Sequence, residues 1–374
     1  MRNDTGPVTR GQLLSVFFIA LMSPTIRLFP RTIIELAGSA AWLCPAAALA
    51  IAPALLWLLK KLHGKCEAAG GLGALLLRCL GGVAGRAVLV IFALWHIFYA
   101  GFVLRAGADR FVVMVYPASG PAVFIFTVLV LSLLAALHDF RALARSAVLF
   151  RAVFLAVLAL LFAAALPDLH LKNLMPVSWK DTPNVLLGAT QIFNPLFFLV
   201  NFLFLHQSIA EDRGFYRSYL FWISVLLVIS AMRCITAIGS FGAELAIRFN
   251  YPFFVMVRNL SLLDIFDRIE ALIITLWVFS DFIMVSLMLF IADADLRLLF
   301  RMDDATGTGL LPLRGGRWLT WLVAAAAGTI AMLLTENTLQ FHGAVARFVA
   351  NASAVLILLL LPLCLLIGKL RKML

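Results

Sequence analysis

The sequence predicts an all-α polytopic membrane protein, and its composition carries that prediction. Of the 374 residues, 63% are hydrophobic and 13% are charged, and the mean hydropathy is +1.03. Soluble domains are about half apolar and a quarter charged. The alternating ten-residue strand patterns of an outer-membrane barrel are missing. We therefore interpret the formal charge of +11 as basic loops facing an anionic leaflet, and not as a nucleic-acid-binding surface.

We predict about ten transmembrane helices, each close to the 20 apolar residues that a bilayer requires. They lie at about 11–29, 33–58, 84–107, 119–137, 146–166, 185–206, 217–242, 269–292, 318–335 and 345–367. With a cytoplasmic N-terminus, the inside segments carry about twice as many Lys and Arg residues as the outside segments. The outside set includes Arg105 and Arg110. This bias satisfies the positive-inside rule and predicts that both termini are cytoplasmic.

Two of the apolar runs are interrupted by proline, at Ser23-Pro24-Thr25 and at Asn194-Pro195. Proline removes a backbone donor and clashes with the preceding turn, so each helix must kink or break there. The simpler interpretation is that these prolines only bend ordinary membrane helices. Matched interruptions in the two halves of a transporter, however, mark a binding site. We predict one permease-like domain over residues 1–374, in which helices 1–5 (11–166) and 6–10 (185–367) form a 5+5 inverted repeat. This is the LeuT-type architecture of amino-acid permeases, with broken first and sixth helices.

The two breaks predict where a ligand binds. Freed N–H groups at a helix break bind a carboxylate, and freed carbonyls accept from an ammonium group. Aromatic residues supply the apolar pocket, and Tyr99 in the third span faces the same centre. The candidate ligand-binding residues are Ser23, Pro24, Thr25, Tyr99, Thr190, Gln191, Phe193, Asn194 and Phe197. The alternative is that the Ser and Thr hydroxyls only bond to their own helix backbone.

Two charged residues are predicted to lie within the membrane, Asp281 and Arg233. Asp281 is about 20 Å along its helix from Arg268 at the outer edge, at 1.5 Å per residue. A carboxylate near the midplane costs at least about 2.5–3.5 kcal/mol, so Asp281 should face the protein interior, be paired or be protonated. We predict an ion pair between Asp281 and Arg233, either functional or purely structural.

The sequence contains no motif that indicates an enzyme or a metal-binding protein. It contains no Walker A loop, HExxH, GxSxG or Gly-rich dinucleotide motif. The five cysteines are scattered, without the spacing of a metal site or a disulfide framework. We expect no catalytic residues, no metal and no cofactor.

One segment is specific enough to suggest a family. It contains Tyr251-Pro252, Val257-Arg258, the run from Leu262 to Ala271, Leu276-Trp277-Val278-Phe279 and Phe282-Ile283. Together with the opening from Gly11 to Thr25, it resembles the spore germination permease family of the amino acid–polyamine–organocation superfamily. These are the B-type integral-membrane subunits of nutrient germinant receptors.

The resemblance implies a multi-pass protein of the inner membrane of the bacterial endospore. Its partners would be A-type and C-type receptor subunits. Its ligand would be a small germinant, such as an amino acid, that triggers germination of the spore formed by sporulation. Two alternatives remain open at this point. One is an amino-acid secondary transporter coupled to H⁺ or Na⁺, and the other is a scaffold for partner membrane proteins.

Overall fold

The structure, a computed structural model, describes residues 8–114, 120–208, 215–259, 269–300, 317–334 and 345–370. For residues 24–29, 67, 193–197, 206–208, 215, 269–272, 346–347, 350 and 354 it describes the backbone alone. Across these ranges the chain is helical and forms no sheet. Helix is the expected solution, because a backbone in lipid has to satisfy its hydrogen bonds within its own segment.

The described residues of the N-terminal half form six α-helices. They are α1 (Arg10–Ala37), α2 (Cys44–Ala69), α3 (Leu72–Leu80), α4 (Gly82–Met114), α5 (Ala122–Leu137) and α6 (Phe140–Ala165). A 3-10 turn, Gly38–Leu43, joins the first two. Helix α1 begins at a capping box, in which the Thr9 hydroxyl accepts from the Gln12 N–H and the Gln12 side chain accepts from the Thr9 N–H. Two orphan donors at the helix start are satisfied in this way.

The C-terminal half continues with longer helices separated by short ones. They are α7 (Thr182–Leu196), the 3-10 helix Phe197–Ser208, α8 (Phe215–Phe241), α9 (Ala243–Ala246), α10 (Pro252–Arg258), α11 (Ile269–Phe300), α12 (Arg317–Leu333), α13 (Ala346–Val355), a π-helical turn (Leu356–Leu360) and α14 (Leu361–Leu370). Each of the ten predicted spans coincides with one of these helices or with consecutive helical segments.

Several boundaries differ from the prediction. Helix α1 runs on to Ala37, so the second span begins at Cys44 and not near residue 33. Helix α4 continues to Met114 and α11 to Phe300, seven and eight residues beyond the predicted ends at 107 and 292. Both extensions carry charged side chains. A count of apolar residues ends a span at such side chains, whereas the helix itself continues because its charges are paired inside the protein.

The two proline interruptions have different outcomes. Helix α7 ends at Leu196, one residue after Pro195, and the chain continues as the 3-10 helix. The interruption of the sixth span is therefore confirmed. Helix α1, in contrast, is assigned as one continuous helix from Arg10 to Ala37 through Pro24, so the first span shows no break in its secondary structure. A proline removes only its own N–H donor, and a membrane helix can absorb that loss where neighbouring groups compensate for it.

Helices α1, α4 and α11 form the centre of the bundle. All residues of 13–23, 99–110 and 283–292 are buried, which is the pattern of helices enclosed on every side. The packing is close. A Cβ added to Gly101 of α4 would lie 2.8 Å from the Ala327 carbonyl oxygen of α12, and only glycine permits that approach. Large apolar side chains of α5 and α12, such as Phe126 and Trp321, point outward, as expected for contact with lipid.

Candidate ligand-binding site

Asp281 on α11 joins the three central helices. Its side chain is 1% exposed, and both of its carboxylate oxygens are engaged. The Ser23 hydroxyl of α1 donates to Oδ1 at 2.5 Å, and the Arg110 guanidinium of α4 donates from Nη2 to Oδ2. Asp281 therefore faces the protein interior and is paired with Arg110. A charge at this depth is tolerated because it has both a counter-ion and a second hydrogen-bond donor.

The neighbouring residues shape the space around this pair. A Cβ on Gly107, one turn before Arg110, would lie 2.6 Å from Asp281 Oδ2 and 2.8 Å from Cε1 of Phe124. The absence of a side chain at Gly107 therefore lets the carboxylate reach α4. Next to Asp281, the Ser280 hydroxyl donates to the Ile19 carbonyl at 2.7 Å and ties α11 to α1.

Trp277 of α11 lines two small cavities. The first contains the Asp281–Arg110 pair, with the Arg110 guanidinium carbon 5.6 Å from the centre of the Trp277 ring. The other residues lining it are Gly107, Phe111, Met114, Phe124, Ile274 and Val278. The second cavity contains Arg233. The remaining residues lining the second cavity are Met22, Phe154, Leu158, Ile229, Phe253, Ile273 and Leu276.

A second polar cluster lies further along α11. His96 of α4 has Nδ1 3.1 Å from Asp295 Oδ2 and Nε2 3.3 Å from Asn201 Oδ1. All three side chains are buried. Asp295 follows Asp281 by 14 positions, which is about 21 Å along a helix. Asn201 belongs to the 3-10 helix after the sixth-span interruption, so this cluster connects that segment to α4 and α11.

The predicted ion pair between Asp281 and Arg233 is wrong. The counter-ion of Asp281 is Arg110, while Arg233 Nη2 donates to the Ser230 hydroxyl at 3.1 Å on its own helix. Counting residues from the membrane edge gives the depth of a side chain but not the direction in which it points. Both residues are nonetheless buried, each 1% exposed, as predicted for charges within the membrane.

The assignment of Arg105 and Arg110 to an outside loop is also wrong. Both lie in α4 and are buried, and Arg105 Nε donates to Asp109 Oδ1 at 3.0 Å one turn away. A basic residue at the end of an apolar run usually marks the start of a loop. Here both arginines have carboxylate partners, which lets the helix carry them inside the protein. Their removal from the outside set strengthens the positive-inside bias.

The predicted ligand residues do not all converge on one place. Ser23 lies at the Asp281 carboxylate. Tyr99 is buried against Phe198 of the 3-10 helix, with the ring centres 4.1 Å apart. Thr190 is exposed and its hydroxyl donates to the Leu187 carbonyl of its own helix at 2.7 Å, and Gln191 is half-buried. The side chains of Pro24, Thr25, Phe193, Asn194 and Phe197 lie outside the described part of the chain.

Sequence reasoning missed Arg110, Gly107 and Trp277. A signal for the first two was present. Gly107 and Arg110 are three residues apart, which places them on one face of a helix. A glycine beside a basic residue at the end of an apolar run permits close approach of an acidic group.

A comparison with protein-family models identifies the family to which this chain belongs. A family model described as spore germination protein matches residues 7–340. The chain belongs to the spore germination permease family. Family members are membrane-embedded, permease-like proteins, which agrees with the apolar helices and the buried polar centre. The comparison with curated proteins finds no match.

A solved structure shows the fold of this family member. Mhp1, a nucleobase-cation-symport-1 family transporter in a closed conformation with bromovinylhydantoin bound, has a TM-score of 0.57 to the chain. The match covers 96% of this chain and 80% of Mhp1, at 13% sequence identity. At this identity the match establishes fold alone. It confirms the predicted all-α, LeuT-type class.

Proposed function

We propose that this chain is the integral-membrane subunit of a spore nutrient germinant receptor. It binds a small germinant, such as an amino acid, at the Asp281–Arg110 pair. It works beside A-type and C-type subunits in the inner membrane of the endospore, with both termini cytoplasmic. Family membership supports the receptor role. The observation that carries the ligand assignment is the buried pair of opposite charges beside an apolar cavity.

The chemistry of the pair matches an amino-acid zwitterion. A zwitterion presents an ammonium and a carboxylate about one carbon apart, and Asp281 and Arg110 offer one counter-charge to each. In the structure Arg110 Nη2 donates to Asp281 Oδ2, and Arg110 Nη1 is buried without a hydrogen-bond partner among the described residues. A zwitterion inserted between them replaces this contact with two charge-assisted hydrogen-bonded contacts, while the desolvation of the protein charges has already been met. Ser23, on the Asp281 side, orients the carboxylate.

The walls of the cavity suit an apolar side chain. Phe111, Phe124 and Met114 surround the charged pair, and binding sites for small molecules typically combine such walls with a few polar groups. The cavity is small and Trp277 closes one side, packed 5.3 Å from the Phe254 ring of α10. Entry of a ligand therefore requires this aromatic contact to open. The closed form and an open form differ in affinity for the ligand, which is how a bound germinant would change the state of the receptor.

The receptor role predicts a specific defect in germination. Spores lacking this chain should fail to respond to one nutrient and still respond to others. The native chain should restore the response, and the Asp281→Asn/Arg110→Gln double variant should not, because it keeps the hydrogen bond but removes both charges. Germination is measured as loss of optical density after nutrient addition, with immunoblots to confirm equal amounts of the chain. Full rescue by the double variant would contradict the ligand assignment.

One observation favours the transporter as a second candidate. The His96–Asp295–Asn201 cluster is a buried hydrogen-bonded network that includes a segment after the sixth-span interruption. Such a cluster suits H⁺-coupled transport. Uptake of labelled amino acid by proteoliposomes containing this chain alone, driven by a pH gradient and lost in His96→Gln, would favour the transporter. Absence of uptake in liposomes that retain ligand binding favours the receptor.

A further inference from the structure

Arg233 is a buried cation without a counter-ion in the described part of the chain. It is 1% exposed, and its one hydrogen bond to a described side chain runs from Nη2 to the Ser230 hydroxyl. Its Nε and Nη1 atoms are buried and have no hydrogen-bond partner. Arg110, which lines the first cavity, is paired with Asp281. Arg110 therefore has a counter-ion, and Arg233 has none among the described residues.

The unpartnered donors of Arg233 border the second cavity. The other residues lining that cavity are apolar or aromatic, among them Met22, Phe154, Phe253 and Trp277. None of them carries a carboxylate. An unpaired buried charge is costly, and removing the counter-ion of a buried pair is strongly destabilising. A residue that imposes this cost, in a cavity bordered by α1, α6, α8, α10 and α11, suits a negatively charged partner, and the described residues supply none.

We propose that Arg233 binds the carboxylate of a small apolar organic acid in this cavity. The planar guanidinium presents two N–H forks that match the two oxygens of a carboxylate, Nε with Nη2 and Nη1 with Nη2, and each fork includes one of the two unpartnered nitrogens. The cavity has room for about one water molecule in this structure, so its apolar side chains must move apart to receive the hydrocarbon part of the acid. The lining side chains include no strong acceptor for an ammonium group, so the site selects a monocarboxylate over an amino acid. This inference is independent of the proposed germinant site, because the probe lacks the amino group that Asp281 would bind.

The test compares an acid with a neutral molecule of the same shape. Full-length protein purified in detergent is titrated at about pH 7 with 4-methylpentanoate and, separately, with 4-methylpentanamide. The acid is expected to raise the melting temperature in a concentration-dependent manner, and the amide is not. In Arg233→Gln the dissociation constant for the acid should rise by at least about tenfold, since the charge-assisted hydrogen bonds are lost. Arg248→Gln removes an exposed charge away from the cavity and should bind the acid as the native protein does.

A further variant separates ligand binding from a structural role. Arg233→Met replaces the charge with an apolar side chain of similar length, so the ligand-free protein should melt at the same or a higher temperature while acid binding is lost. Equal stabilisation of the native protein by acid and amide would overturn the proposal, and this comparison does not depend on any variant folding. Unchanged acid binding in Arg233→Gln would also overturn it. The proposal would likewise be overturned if the Asp281→Asn/Arg110→Gln double variant lost acid binding while Arg233→Gln kept it.

Discussion

Asp281→Asn alone is expected to destabilise the protein by about 3–5 kcal/mol, the usual cost of removing one partner from a buried ion pair. The substitution leaves the Arg110 guanidinium, 2% exposed, without its counter-charge. It also replaces an oxygen that accepts from Arg110 or from Ser23. Reversible unfolding of the purified protein in mixed micelles measures the change.

The Asp281→Asn/Arg110→Gln double variant is the control for this expectation. It removes both charges together and keeps side chains that can hydrogen-bond, so most of the lost stability should return. A buried pair replaced as a unit is often nearly neutral. If the single and double variants lose the same stability, the charge pairing of Asp281 and Arg110 does not govern the stability of this region.

Gly107→Ala is expected to destabilise by about 1–3 kcal/mol, the usual effect of adding a carbon to a tightly packed interior. The new Cβ would lie 2.6 Å from Asp281 Oδ2 and 2.8 Å from a ring carbon of Phe124. One or both must move, and movement of Asp281 weakens its bond to Arg110. We therefore also expect the variant to lose ligand binding.

Gly82→Ala provides the matched control on the same helix. Its Cβ would meet no atom within 4 Å, and alanine is favoured over glycine inside a helix by up to about 1 kcal/mol. This variant should be as stable as the native protein or slightly more so. Equal losses in Gly107→Ala and Gly82→Ala, measured by unfolding of the purified proteins, would show that space next to Asp281 is not the limiting factor.

The order of the membrane spans could be predicted from the sequence because lipid imposes a simple rule on it. A helix needs about 20 apolar residues to cross the bilayer, and each predicted span coincides with helical structure. The ends of α4 and α11 could not be predicted in this way. Arg110 and Asp295 lie in those extensions and are stabilised by partners on other helices, which a local count of apolar residues does not detect.

The candidate site could be predicted only in part. Asp281 was located correctly as a buried and paired carboxylate, because the cost of a membrane charge depends on depth, and depth follows from residue count. The identity of its partner depends on the direction of each side chain around its helix axis. Arg110 is 171 positions away in sequence on α4, whereas Arg233 lies on α8, and a count of depth along each helix does not choose between them.

The effect of each proline on its helix also could not be predicted from the sequence pattern. Pro24 and Pro195 look alike, yet α1 continues through the first and α7 ends after the second. Whether a helix absorbs a proline depends on the groups packed around it. Ser23, beside the first proline, nevertheless contacts Asp281. The proline pattern therefore led to a residue of the buried charge network.

The central claim is that the Asp281–Arg110 pair binds a zwitterion, and ligand-dependent stabilisation of the purified protein tests it most directly. The melting temperature is measured with each amino acid and with its methyl ester, which lacks the carboxylate charge. An amino acid at a hundredfold excess over its dissociation constant should add about 2.7 kcal/mol to the free energy of unfolding. The ester should add much less, and the Asp281→Asn/Arg110→Gln double variant should respond to neither. Equal stabilisation by the amino acid and its ester, or an undiminished response in the double variant, would contradict the claim.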